Sequence, residues 1–136
     1  MYLMKKIVLL AFLVVMSFSN SFAQSEFVDD VTVAFKTADQ RLLSKYFGNK
    51  IEITLLDQSN VFSKSQAELV MKDFFSKYDP TDFQILYKNN PTNDAARFAI
   101  GQLETKSGKF RIYFILKSID SNVYLQEMRF EQERTR

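Results

Sequence analysis

From Phe83 onward the chain reads as four short segments in which apolar and polar residues alternate, separated by turn-forming residues. That pattern restricts it to a largely antiparallel sheet with one face buried. Phe83, Ile85 and Tyr87 alternate in the first segment, and Phe98 and Ile100 lie on one face of the second, opposite Arg97, Ala99 and Leu103. Phe110, Ile112, Phe114 and Leu116 alternate with Arg111, Tyr113, Ile115 and Lys117 in the third. The fourth, residues 123–131, puts Tyr124, Met128 and Phe130 on one face. The joints at residues 88–94, 106–109 and 120–122 are rich in Asn, Asp, Ser, Gly and Pro, as turns require. Gly101 inside a strand predicts a bulge or a sharp bend. The charged residues 131–136 read as a frayed, solvated strand end.

The segments before Phe83 are mostly helical. Ser25 fits an N-cap, with Glu26, Asp29 and Asp30 in the first turn. Phe27, Val28, Val31, Ala34 and Phe35 then recur at helical spacing until a break near Thr37 and Ala38. Asp39 fits a second N-cap, Leu42, Leu43, Tyr46 and Phe47 share a face, and Gly48 stands where a helix C-terminal glycine belongs. Residues 50–56 read as a strand, residues 57–60 as a turn, and Val61-Phe62 as a short strand. A third helix starts at Ser63 or Ser65, since Ser63-x-x-Gln66 and Ser65-x-x-Glu68 both fit a capping box. Its apolar stripe is Ala67, Val70, Met71, Phe74, Phe75 and Tyr78, and Asp79-Pro80 ends it, because the residue before proline is pushed out of the helical region. Such a stripe is ordinarily plain core rather than a pocket lining.

The first residues carry a different signal. Lys5 and Lys6 precede an apolar run of about 12 residues, the length of a secretory h-region and short of the roughly 20 a membrane-spanning helix needs. Ser21 and Ala23 are small and fit the −3 and −1 positions of a cleavage site. We expect a cleavable signal over residues 1–23 and one domain over residues 24–136; a short membrane anchor and a buried helix of the domain are the competing readings. The expected destination is outside the cytoplasm, periplasmic or secreted.

Cleavage alters the charge argument. The whole chain has 18 basic and 16 acidic residues, but Lys5 and Lys6 leave with the signal, so the remainder is neutral. A neutral domain gives no electrostatic reason to expect nucleic acid or an anionic membrane as partner, and the membrane enters only through the signal before cleavage. The chain has no cysteine, which excludes disulfides, thiolate metal sites, cysteine nucleophiles and a lipid-modified N-terminal cysteine; the protein is not a lipoprotein of that kind. It has no histidine either, so the commonest metal ligand and general base are both missing. No cofactor or metal is expected. Fourteen Phe and six Tyr supply a core without disulfide staples.

Helices grouped ahead of a run of antiparallel strands define an α+β fold, with the helices on one face of a strongly curved sheet. The order of elements, with Ala38-Asp39-x-x-Leu42-x-x-x-Tyr46-Phe47 leading into Lys50-Ile51-Glu52-Ile53, resembles the nuclear transport factor 2-like superfamily, also called ketosteroid isomerase-like or cystatin-like. Phe98-Ala99-Ile100-Gly101-Gln102-Leu103 ahead of the Phe110 strand is similar to a group of uncharacterised exported bacterial domains in that superfamily. The resemblance implies a conical pocket between helices and sheet, and an export route. It implies no activity, since the acids and histidines of the superfamily's enzymes have no matching position.

Two surfaces remain as candidate sites. A carboxylate acting as base beside a phenol that steadies an oxyanion is the chemistry left to a chain without histidine; Asp57, Glu104 and Glu127 with Tyr46, Tyr87 or Tyr113 are its raw material. The outer sheet face is expected to carry Leu86, Leu103, Tyr113 and Ile115 among Gln84, Lys88, Arg97, Arg111 and Lys117. So many large apolar groups on one outer face suggest an interface, and related folds often dimerise there. The leading expectation is a non-enzymatic exported domain that binds a small apolar ligand or an envelope protein, with Tyr46, Leu86, Leu103, Tyr113 and Ile115 as its binding residues. An isomerase- or hydratase-like enzyme and a structural homodimer stand beside it.

Overall fold

The computed structural model describes residues 2–15, 22–89 and 97–134, and the side chains of 2–8, 26–89 and 97–134. Helix α1 spans Tyr2–Val15. Tyr2, Leu3, Met4, Ile7 and Val8 on it are all exposed. Among the described residues no helix is long and apolar enough to cross a membrane. Ser21 of the expected cleavage site lies outside the described residues.

Helix α2 spans Phe22–Thr37 and begins three residues before the expected cap at Ser25, because Phe22-Ala23-Gln24 contains no breaker to stop it. Phe27, Val31, Ala34 and Phe35 are fully buried, which is the single apolar face the spacing predicts. Ala38 takes a left-handed φ of 54° and ends the helix. Asp39 then caps α3 (Gln40–Ser44), its carboxylate accepting from the backbone N–H groups of Arg41 and Leu42 at 3.1 and 3.0 Å. Gly48 does not terminate that helix: it belongs to β1 (Phe47–Leu55). The chain turns directly from Tyr46, whose carbonyl accepts from Leu125 N–H at 2.6 Å, into the sheet.

Leu56, with φ 55°, turns β1 back into β2 (Gln58–Ser63). The hairpin is tighter and β2 longer than the turn over residues 57–60 foretells. Helix α4 spans Lys64–Tyr78, and Ser63 rather than Ser65 is its N-cap, in a complete capping box with Gln66. Asp79 ends it in a left-handed conformation, and Pro80 opens β3 (Pro80–Lys88). The strands β4 (Arg97–Thr105), β5 (Gly108–Ile119) and β6 (Asn122–Gln132) complete the sheet. Asp120 and Ser121, at φ 50° and 68°, form the two-residue turn between β5 and β6, as the right-handed twist of the flanking strands favours. The loop residues 90–96 lie outside the described residues. The tail is not frayed at Glu131: β6 runs to Gln132, and Glu133 N–H bonds Lys109 carbonyl at 2.8 Å.

The sheet is mixed, in the order β2-β1-β6-β5-β4-β3, with β1 parallel to β6 and the other pairs antiparallel. Its ladders slip between Phe47 and Glu52, between Ile85 and Tyr87, and between Ile115 and Leu116. Each irregularity bends the strand that carries it, and together they curve the sheet around α2 and α4. The bulge expected at Gly101 is displaced to β3, opposite it.

Phe35 sits at the middle of the core, stacked on Phe83 at 4.8 Å and edge-on to Phe75 at 5.5 Å and Phe114 at 5.9 Å. Phe74 extends the lattice to Phe110 and Phe130. Each such ring contributes about 1.5–3 kcal/mol of burial. Between α2 and the sheet the conical interior that the resemblance implies is filled by these rings.

Candidate functional site

The predicted site residues divide among three places. Leu103 is fully buried, paired across the sheet with Phe83 and Phe110, so it belongs to the core and not to the outer face. The alternation in β4 is as read, but its faces are reversed: Ala99, Gly101 and Leu103 point in, and Phe98, 39% exposed, points out. Volume decides this. A Cβ on Gly101 would meet the Phe83 ring at 2.5 Å and Phe114 at 3.3 Å, so the inward positions of β4 must be small where these rings close over them.

Tyr113 and Ile115 are on the outer face as expected, in register with Ile100 and Phe98. With Phe98, Ala99, Phe114, Arg97, Glu127 and Arg129 they line an open groove of about 310 Å³. Leu86 lies in the β3 bulge, 44% exposed. That bulge also turns Tyr87 outward to pair with Ile100 and pack on the Phe98 ring at 5.5 Å, away from the core side that its alternation with Phe83 and Ile85 suggests. The β6 irregularity does the same to Tyr124, leaving Val123 and Leu125 buried in its stead. Phe98, like Tyr87, is a member of this face that sequence reasoning missed. Its signal was its register with Ile115, which pairing along β4 and β5 reveals and periodicity within one strand does not.

Charges of both signs rim the groove. Arg129 pairs with Glu127 at 3.5 Å, and farther along the face Arg111 pairs with Glu133 at 3.4 Å. Gln84 and Gln102 bond each other at 3.3 Å.

Tyr46 stands elsewhere. Its hydroxyl donates to the Asp30 carboxylate at 2.6 Å, its ring lies edge-on to Phe27 at 5.1 Å, and it lines a recess of about 320 Å³ with Glu26, Asp30 and Lys45. Burial, the bond to Asp30 and the nearby charges of Asp30, Glu26 and Asp29 hold the phenol above its ordinary pKa. A tyrosine therefore does meet a carboxylate, and the carboxylate is Asp30; because α2 starts at Phe22, Asp30 stands in mid-helix rather than in the first turn that a cap at Ser25 implies, and nothing in sequence ties it to Tyr46. The proton is committed to Asp30, so the pair ties α2 to the entry of β1. Glu104 pairs instead with Lys109 at 3.4 Å. Asp57 lines a recess of about 370 Å³ with Phe74, Tyr78, Phe110, Phe130, Asp73 and Lys77, at the end of the core beside α4.

A helical layer on a curved sheet of this order defines the nuclear transport factor 2-like, or cystatin-like, fold. A protein of unknown function from Shewanella baltica described as ntf2-like shares it at TM-score 0.63 and 14% identity, over 83% of this chain and 93% of that one. A domain of unknown function with a cystatin-like fold from Nostoc punctiforme does so at TM-score 0.67 and 8% identity, over 87% and 80%. Within this class the chain belongs to the DUF4783 family, a domain of unknown function, which matches residues 28–131. The structure of a DUF4783 protein from Bacteroides uniformis is similar at 26% identity and TM-score 0.73, covering 79% of this chain and 97% of that one. No curated protein matches.

Proposed function

We propose that this chain is an exported, non-enzymatic binding domain whose working surface is the outer face of its sheet, and that the occupant of that face is a second copy of the chain. The observation that carries the reading is the groove at Phe98, Tyr113 and Ile115. Phe98, 39% exposed, packs there against the ring of Tyr87, 53% exposed, at 5.5 Å, and a contiguous exposed apolar patch of this kind marks an association surface. A two-fold contact sets the same patch against itself and needs self-complementary charge. Glu127 and Arg129 on β6 and Arg97 on β4, which flank the groove on either side of β5, provide it.

Export is supported by the residues that build the domain. The core runs from Phe27 to Phe130, and the described side chains of α1 stand outside it. The family match likewise begins at residue 28. The test of the binding face is sedimentation of the purified protein and of Ile115→Lys. The expected result is a dimer for the native protein and a folded monomer for the variant; a native monomer, or a variant that still dimerises, contradicts it.

A second reading, a small apolar ligand, is favoured by the aromatic recess at Phe74, Tyr78, Phe110 and Phe130. Its volume stands at the small end of ligand sites. Saturable quenching of tyrosine fluorescence by an apolar probe, lost in Tyr78→Ala, would support this reading, and quenching unaffected by that change would remove it.

A further inference from the structure

We infer that the groove between the start of β1 and the β5–β6 hairpin is an anion site, built to take a ligand bearing phosphate-like oxyanions. It encloses about 610 Å³ and is lined by Lys50, Lys64 and Lys117, together with Asn49, Tyr124 and Gln126, and by no acidic residue. The lysines come from β1, α4 and β5, which only the fold brings together. All three are exposed, and among the described residues none forms an ion pair. This sets them apart from Lys36, Lys106 and Lys109, each of which faces an Asp or Glu.

The backbone points the same way. The β1–β6 ladder breaks between Phe47 and Glu52, and β1 meets β2 only from Lys50 onward, so Gly48 and Asn49 are in register with neither neighbour. Gly48 has no side chain to cover the groove: a Cβ there would meet nothing nearer than 3.9 Å. Several ammonium groups beside the side-chain amides of Asn49 and Gln126 are a donor set that phosphate oxygens take. Three ammonium groups without an acidic neighbour thus line one groove, where low-dielectric walls focus their field. Phe47 and Leu125 form a buried apolar floor, and Ile119 an apolar lip that is 46% exposed, which suits a phosphate carried on an apolar body.

The test is titration of the purified protein with inorganic pyrophosphate, followed by ¹H–¹⁵N spectra at low salt, beside Lys50→Gln/Lys64→Gln/Lys117→Gln. The expected result is a saturable shift confined to residues 47–50, 64, 117 and 124–126, with Kd under about 1 mM and a loss of at least about tenfold in the triple variant. Weakening with added salt is also expected. Shifts spread equally over Lys72 and Lys88, no saturation, or unchanged affinity in a folded triple variant would overturn the site. Co-sedimentation with phosphatidylglycerol vesicles, read against phosphatidylcholine vesicles, then tells the source. Retention that depends on the three lysines makes the phosphate a lipid headgroup, and saturable pyrophosphate binding without retention makes the ligand a soluble phosphate ester.

Discussion

Gly101 lies directly beneath the ring of Phe83: a Cβ at that position would come within 2.5 Å of the ring edge. The ring is hemmed in by Phe35, stacked on it at 4.8 Å. We expect Gly101→Ala to destabilise the domain by about 1–3 kcal/mol through overpacking. In thermal unfolding this lowers Tm by roughly 4–8 °C per kcal/mol. An unchanged Tm would mean that the core is looser here than the ring contacts require.

Removing the Tyr46 hydroxyl tests the tie to Asp30. Tyr46→Phe should cost about 1 kcal/mol, since both groups are only half-buried and water can reach the abandoned carboxylate. The phenol pKa is raised in the folded state, so folding favours its protonated form. The stability it contributes is complete below the unfolded value of about 10 and is lost as pH climbs from there through the folded value. Urea unfolding should therefore show a constant gap between native protein and variant up to about pH 10 and a narrowing gap above it. A gap that widens with pH contradicts the assignment.

The start of α4 distinguishes two serines that sequence alone leaves equal. Ser63→Ala removes the acceptor for Gln66 N–H and half of the capping box, and is expected to cost about 0.5–2 kcal/mol. Ser65→Ala removes a side chain that among the described residues bonds the Ser63 hydroxyl alone, at 3.3 Å, and should cost clearly less. Denaturant midpoints that fall equally for the two substitutions contradict the capping assignment.

The helices, the caps at Asp39 and Ser63 and the strand run were legible because they are local, whereas the cap expected at Ser25 and the helix end expected at Gly48 were not found. Asp39, Ser63 and Asp79-Pro80 act within a few residues of themselves, and alternation states which residues share a face. Alternation does not state which face turns inward. In β4 that was decided by the volumes of Phe83 and Phe114 on two other strands, which demand Gly101 and Ala99 beneath them and send Phe98 outward. The bulges at Leu86 and Gln126 each add one residue and reverse the parity beyond them, moving Tyr87 and Tyr124 to the opposite face. The candidate surfaces follow the same division. Tyr113 and Ile115 were legible from one strand. Phe98 facing Ile115, Asp30 facing Tyr46, and the convergence of Lys50, Lys64 and Lys117 all depend on pairings between distant segments.

Association through the outer sheet face is read most directly in the ¹H–¹⁵N spectrum of the purified protein on serial dilution. Concentration-dependent shifts are expected at the outward positions of β4–β6, centred on Phe98, Tyr113 and Ile115, and are expected to vanish in Ile115→Lys. Spectra that do not change with concentration, or changes centred on the recess beside Tyr78, would contradict it.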